Sequence, residues 1–134
     1  VEVNLETGQV RVDSLVAAHD VGRAINPQGL KGQVEGAVVM SLGLALMEEV
    51  LPAGTTRGLN DYYLPTARCA PEITVIPVEV PSRWGPLGAK GLGEAAALAT
   101  APAILNGIHH ASGARVRSVP ATPERVLSAL RARS

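Results

Sequence analysis

The stretch that decides the fold runs from Asn26 to Glu49, NPQGLKGQVEGAVVMSLGLALMEE. Asn26 is a good helix cap, and Pro27 suits the first helical position, where a missing N–H costs nothing. The residues therefore predict one helix from Pro27 to Glu49. Gly29, Gly32, Gly36 and Gly43 follow at helical spacings and gather on one flank. Val34, Val38, Val39, Leu42, Leu44 and Leu46 fill nearly every other side, the pattern of a helix enclosed by protein. The bare glycine flank needs an occupant. Either another element packs close against it, or Gln33 and nearby backbone amides face a bulky ligand.

Ahead of this rod, Val1, Val3 and Leu5 alternate with polar residues, Glu6-Thr7-Gly8-Gln9 is turn chemistry, and Val10 and Val12 alternate again, which reads as a β-hairpin. The second strand is expected to continue through Leu15-Val16-Ala17-Ala18 and leave the sheet at His19-Asp20-Val21-Gly22-Arg23. Behind the rod, Pro52 to Arg68 reads as a loop anchored by Tyr62 and Tyr63. Ile73, Val75, Val78 and Val80 make a further strand, and Pro77 inside it implies an edge or a bulge. A helix beginning at Glu94 meets Pro102, so a short helix to Thr100 and a second from Pro102 to Ala111, or one kinked helix, is expected, with Gly113 as the stop. Val116 to Val119 reads as a short strand. Thr122-Pro123-Glu124 then opens a last helix with cap, proline and acid, closing in Arg131 and Arg133. The class is α+β: a β-hairpin and short strands packed with a long, buried, glycine-rich helix and two or three further helices.

The 134 residues make one domain's worth of chain, 1–134, long enough to bury a core. With no Phe, one Trp and two Tyr, that core must be built from Val, Leu, Ile and Ala. A formal net charge of zero argues against nucleic acid and anionic membrane surfaces as partners. Cys69 stands alone, which excludes an internal disulfide and offers no metal-binding pair; a reducing compartment, the cytoplasm, is expected. The apolar stretches Val34–Met47 and Ala95–Ile108 fall short of the roughly 20 residues a bilayer span requires. The first residue is Val1, already in a strand pattern, so the chain reads as one piece of a longer polypeptide.

Chemistry concentrates between Gly85 and Thr100, GPLGAKGLGEAAALAT, where four glycines surround Lys90 and Glu94 before an alanine-rich helix. A helix start presents free amides and a positive dipole end, so an anion or phosphate-bearing ligand is favoured beside this loop. Gly91-Leu92-Gly93 with Ala96 resembles a dinucleotide pattern, but that pattern should follow directly on a strand, and the strand before it ends near Val80. Lys90 is followed by Gly91 instead of Ser or Thr, which argues against a triphosphate loop. Glu94 either complements the helix dipole or serves as a base; partial desolvation would raise its pKa while the dipole lowers it. His19-Asp20 reads either as half of a nucleophilic or metal site or, as such pairs more often are, as a side chain holding a loop at a strand's end. His109 and His110 point to different helix faces and cannot chelate together.

Three stretches, Ala18-His19-Asp20-Val21-Gly22-Arg23-Ala24-Ile25-Asn26-Pro27, Gly32-Gln33-Val34-Glu35-Gly36 and Gly88-Ala89-Lys90-Gly91-Leu92-Gly93-Glu94, resemble in order and spacing the molybdenum-binding subunit of the xanthine dehydrogenase and aldehyde oxidase family. Leu64-Pro65-Thr66 and Thr122-Pro123-Glu124-Arg125-Val126 extend the likeness over nearly the whole chain. Ala95 and Ala96 depart from it, since the family usually carries prolines after the Glu. The resemblance implies the C-terminal portion of a molybdopterin-binding domain, inactive by itself, within an enzyme that oxidises an aldehyde or aromatic N-heterocycle with water as the oxygen source. It gives Glu94 the role of catalytic base towards a molybdenum-bound hydroxyl. It places Ala89, Lys90, Gly91, Leu92 and Gly93 along the cofactor, and Gln33, with Gly32 and Gly36 beside it, against the pterin. It implies molybdenum-molybdopterin, either plain or as a cytosine dinucleotide, with no protein ligand to the metal. Partners would be the remainder of the subunit, iron–sulfur and FAD-bearing domains or subunits, and a small-molecule substrate. The alternatives from other classes are a non-catalytic remnant or assembly module of that fold, and a dinucleotide-binding domain.

Overall fold

The computed structural model describes residues 1–52 and 54–132; Ala53, Arg133 and Ser134 lie outside the described residues, and with them the expected role of Arg133 at the last helix end. The elements run β1 (Glu2–Val3), β2 (Val10–Arg11), β3 (Ser14–Asp20), α1 (Pro27–Leu46), β4 (Glu72–Val78), α2 (Ala95–Ser112) and α3 (Pro123–Arg131), with a single 3₁₀ turn at Pro86–Gly88. The α+β class holds.

The hairpin is confirmed as an antiparallel β1–β2 pair, with Val3 opposite Val10. Its second strand does not continue to Ala18. It stops at Arg11, and after Val12-Asp13 the chain starts β3, which pairs parallel with β4 from Ser14 opposite Glu72 to Asp20 opposite Val78. The alternation slips by one residue at that break: Val10 and Val12 turn into one core, Asp13 and Ser14 are both exposed, and Leu15 and Ala17 turn into the other.

α1 and α2 lie against each other through the middle of the molecule and divide the core in two. One cluster gathers Leu42, Ala45, Ala101, Ile104 and Ile108 with Val12, Val116, Ala121 and Val126. The other gathers Val34, Ala37, Val38 and Ala96 under Ala17 of β3. Between them the Ser41 hydroxyl donates to the Ala97 carbonyl at 2.8 Å, a polar tie joining the two helices. Asn26 caps α1 through Gly29 N at 2.9 Å, as its sequence predicts. α1 ends at Leu46, about one turn early, where Met47 N and Glu48 N both return to Gly43 O. The helix is not enclosed on all sides: Gly29, Gly32, Gln33, Gly36, Met40 and Leu44 lie exposed along one face.

Pro102 neither splits α2 nor ends it; the helix is continuous from Ala95 to Ser112. A mid-helix proline removes one hydrogen bond, and burial of Ala101, Ile104 and Ile108 on either side of it outweighs that loss. Gly113 stops the helix in the left-handed conformation at φ 73°, with its N–H returned to His109 O. Val116 to Val119 is irregular, not a strand. α3 begins under the Thr122 cap, and Arg125 reaches from it to Glu49 at 2.6 Å. Tyr62 is half-buried and donates its hydroxyl to Glu48 at 2.7 Å, but Tyr63 is exposed and anchors nothing.

Leu42 projects from α1 into the first cluster and is fully buried there. Leu42→Ala should destabilise the protein by about 2–5 kcal/mol, read as a lower urea midpoint at unchanged slope. Leu98→Ala, at a residue that is exposed on α2, should change the unfolding free energy by no more than about 0.5 kcal/mol.

Candidate functional site

The site is built where β3 ends. Val21 N donates to Val78 O and closes the ladder; Lys90 N then donates to Val21 O, and Arg23 N to Gly88 O. The glycine loop is thereby laid backbone to backbone along residues 21–23. Gly22 sits at the crossing with φ +64°, and a Cβ there would come within 2.3 Å of Gly88 O and 2.9 Å of Lys90 N. Both the dihedral and the space require glycine. Asp20 secures the same junction: its carboxylate accepts from Lys90 Nζ at 2.5 Å and from Gly22 N at 3.0 Å. These bonds favour the ionised form, so the Asp20 carboxyl is held below the usual range, with the Lys90 bond the largest cause and the Gly22 N–H next. The His19-Asp20 pair is therefore a loop holder, as expected, and Asp20 is the member that makes the bonds.

From Lys90 the loop crosses to α1. Gln33 Nε2 donates to Gly93 O at 2.6 Å, which ties the exposed glycine face of α1 to the residue before Glu94. Between them lies an open cavity of about 350 Å³, lined among others by Asn26, Gly29, Gln33, Ala89, Lys90 and Gly93. On the adjacent face Gly32 and Gly36 have nothing within 4 Å of where a Cβ would stand, whereas at Gly43 a Cβ would meet Glu48 and Pro65. The glycine flank thus divides. Its C-terminal end at Gly43 is filled by Glu48 and Pro65, its N-terminal end at Gly29 is approached by the Asn26 side chain, and its middle at Gly32 and Gly36 is open.

Glu94 directly precedes α2, with no side-chain cap bond, and is exposed. The desolvation expected between glycines and an apolar helix is absent, because Gly91 and Gly93 are exposed too and the apolar face of α2 turns the other way, onto α1. The dinucleotide reading fails: it needs a strand running into Gly91, and β4 ends at Val78. Lys90, whose backbone is expected along the cofactor, commits its ammonium to Asp20 and lines the cavity. Among the described residues no group of three His, Cys, Asp or Glu side chains could hold a metal ion.

Residues 1–71 match the family model of the molybdopterin cofactor-binding domain. The chain belongs to that family. It is 33% identical over 133 residues to a probable xanthine dehydrogenase subunit of Bacillus subtilis, covering 97% of this chain and 18% of that protein. It is 35% identical to the nicotine 6-hydroxylase large subunit of Paenarthrobacter nicotinovorans, covering 96% and 17%. The fold superposes on the aldehyde oxidoreductase of Desulfovibrio desulfuricans with a TM-score of 0.91 at 38% identity, over 95% of this chain and 14% of that one. The molybdopterin-binding domain fragment thus spans less than a fifth of the curated relatives it matches.

Of the residues read from the sequence as the site of this domain, Gln33, Ala89, Lys90, Leu92 and Gly93 line one cavity. Gly32, Gly36, Gly91 and Glu94 stand exposed and do not line it. Sequence reasoning missed Asn26 and Arg23 as lining residues and the Asp20–Lys90 pair as the fastening, while Gly29 lines the cavity from the glycine flank it was read into. Asn26 reads from sequence as a helix cap, which it is, and its second position in the wall follows only once the loop is laid across it.

Gly22→Ala should cost more than the ~1–2 kcal/mol of a left-handed alanine, because its methyl would also meet the Gly88 carbonyl; chemical denaturation measures this. The Asp20 carboxyl should titrate below the ~3.9 of a free aspartate. A depressed carboxyl stabilises the junction fully above the unfolded pKa, and the contribution is lost as pH falls through the folded value. Carboxyl ¹³C shifts of Asp20 followed between neutral and strongly acid pH would show this.

Proposed function

We propose that this chain completes the active site of a molybdenum hydroxylase that oxidises an aldehyde or an aromatic N-heterocycle with water as oxygen source. The observation that carries the reading is the Gln33–Gly93 hydrogen bond, which sets the carboxylate-bearing helix start beside the open glycine face of α1. Support also comes from the relatives, whose names include a xanthine dehydrogenase subunit, a nicotine 6-hydroxylase and an aldehyde oxidoreductase.

The residues fit a molybdenum-molybdopterin cofactor. The open positions at Gly32 and Gly36 admit a flat body where any side chain would obstruct it. Gln33 uses one amide hydrogen on Gly93 O and retains the other, with its Oε1, for the pterin edge. Ala89, Gly91 and Gly93 offer backbone in place of bulk, with the Lys90 and Leu92 backbone continuing the same edge. When bound, the cofactor supplies the two-electron oxidation and an acidified water.

Glu94 is the base in this reading. Its carboxylate stands at the cap position directly before α2 and takes a proton from the attacking oxygen; the helix start holds its position and the Gln33 bond fixes the loop behind it. The rest of the subunit, iron–sulfur and FAD-bearing partners would complete the enzyme, and the lone thiol Cys69 favours a cytoplasmic setting.

In the intact enzyme Glu94→Gln should cut turnover by about 10²–10⁴-fold while molybdenum and pterin content per subunit stay at the wild-type level. Near-normal turnover would overturn the role of Glu94. A fully assembled complex purified without cofactor would favour a non-catalytic module instead.

A further inference from the structure

β3 and β4 form a two-stranded parallel sheet, and parallel strands are stable as members of larger, covered sheets. The register shows which edge is unfinished. Glu72 N donates to Asp13 O and Val21 N to Val78 O, each at 3.0 Å. In a parallel ladder of this register the main-chain groups of Asp13, Leu15, Ala17, His19 and Val21 turn towards β4, and those of Ser14, Val16, Ala18 and Asp20 turn away. On β4 the inward set is Glu72, Thr74, Ile76 and Val78. Pro77 therefore lies on the outer edge, where it has no N–H to offer. The free edge of β4 is closed by proline.

The free edge of β3 is not. Its sequence, Ser14-Leu-Val-Ala-Ala-His-Asp20, has no proline, lysine or bulge, the usual guards of an edge. Among the described residues, none pairs with the outward main-chain groups of Ser14, Val16 and Ala18. Val16 and Ala18 also expose apolar side chains on the face away from α1, and Ile76 and Val78 extend that apolar surface across β4.

We propose that a β-strand from another part of the same molybdenum-binding subunit pairs with the outer edge of β3, making β3 an interior strand. The occupant is a segment of that subunit because the matched relatives are more than five times the length this chain covers in them, the chain making up 18% and 17% of two of them. The proposal rests on the chain belonging to a longer subunit, as the proposed function does, and not on the roles of Glu94 or Gln33.

Residue-resolved amide exchange on the assembled enzyme tests it. Val16 and Ala18 should exchange as slowly as Leu15 and Ala17, which face β4. Exchange at Val16 and Ala18 at least about a hundredfold faster than at those neighbours would overturn the pairing. Protection that vanishes when the enzyme is diluted to single subunits would assign the edge to a second copy and overturn it too. Ala18→Pro removes an outward N–H and leaves the ladder to β4 intact, so it should abolish most of the yield of assembled enzyme; wild-type yield would count against the proposal. Should exchange at β3 prove fast while Glu94→Gln still abolishes turnover, the edge pairing falls and the proposed function stands.

Discussion

Where the chain leaves β3 it meets its own glycine loop with no room for a side chain between them. Gly22 takes the left-handed turn, its flanking residues exchange main-chain bonds with Gly88 and Lys90, and Asp20 holds Lys90 by charge. Backbone contact fixes distance more tightly than side-chain packing can, because neither partner has rotamers to lose. The course of the loop follows from that junction. Lys90 fixed at Asp20 sets where Gly93 can reach, Gly93 meets Gln33, and α2 begins two residues later on the flank of α1.

α1 meets two demands at once, and its sequence reflects both. One side carries Val34, Val38 and Leu42 into the two core clusters and buries Ser41 between them. The other carries Gly29, Gly32, Gly36 and Met40 into the open. A helix with Gly at three exposed positions loses roughly 1 kcal/mol at each relative to Ala. Such a loss is tolerated where the bare surface has a use, and a wall against which a flat ligand lies is one. Gly43 belongs to a different constraint, since Glu48 and Pro65 already occupy the space before it.

The helices are legible in the sequence because their signals are local: Asn26-Pro27, Thr122-Pro123 and Gly113 each state a boundary within a few residues. The partner of β3 is not, because alternation in Leu15, Val16 and Ala17 is the same whether a strand continues a hairpin or joins β4. Pro77 marks an edge correctly without saying which edge. Pro102 leaves two helices or one open, since its propensity penalty is set against burial that only the packed α1–α2 pair reveals. At the site, the glycine loop and Gln33 can be named from motif, but the bond between Gln33 and Gly93 spans sixty residues and no periodicity reports it.

A base that works in an oxidative hydroxylation needs a fixed position and an environment that keeps competing water away. If Glu94 is that base, as proposed, the chain provides the first: Glu94 stands at the head of a helix whose loop is tied to α1 and β3. It does not provide the second, for Glu94, Gly91 and Gly93 are all exposed. Under the proposed function the missing burial must come from the body lying on the Gly32–Gly36 face and from the remainder of the subunit. Positioning and desolvation are then divided between separate stretches of one polypeptide. The division explains why the glycine loop relies so heavily on backbone anchoring. With its cover supplied by other parts, the carboxylate must already stand where they will meet it.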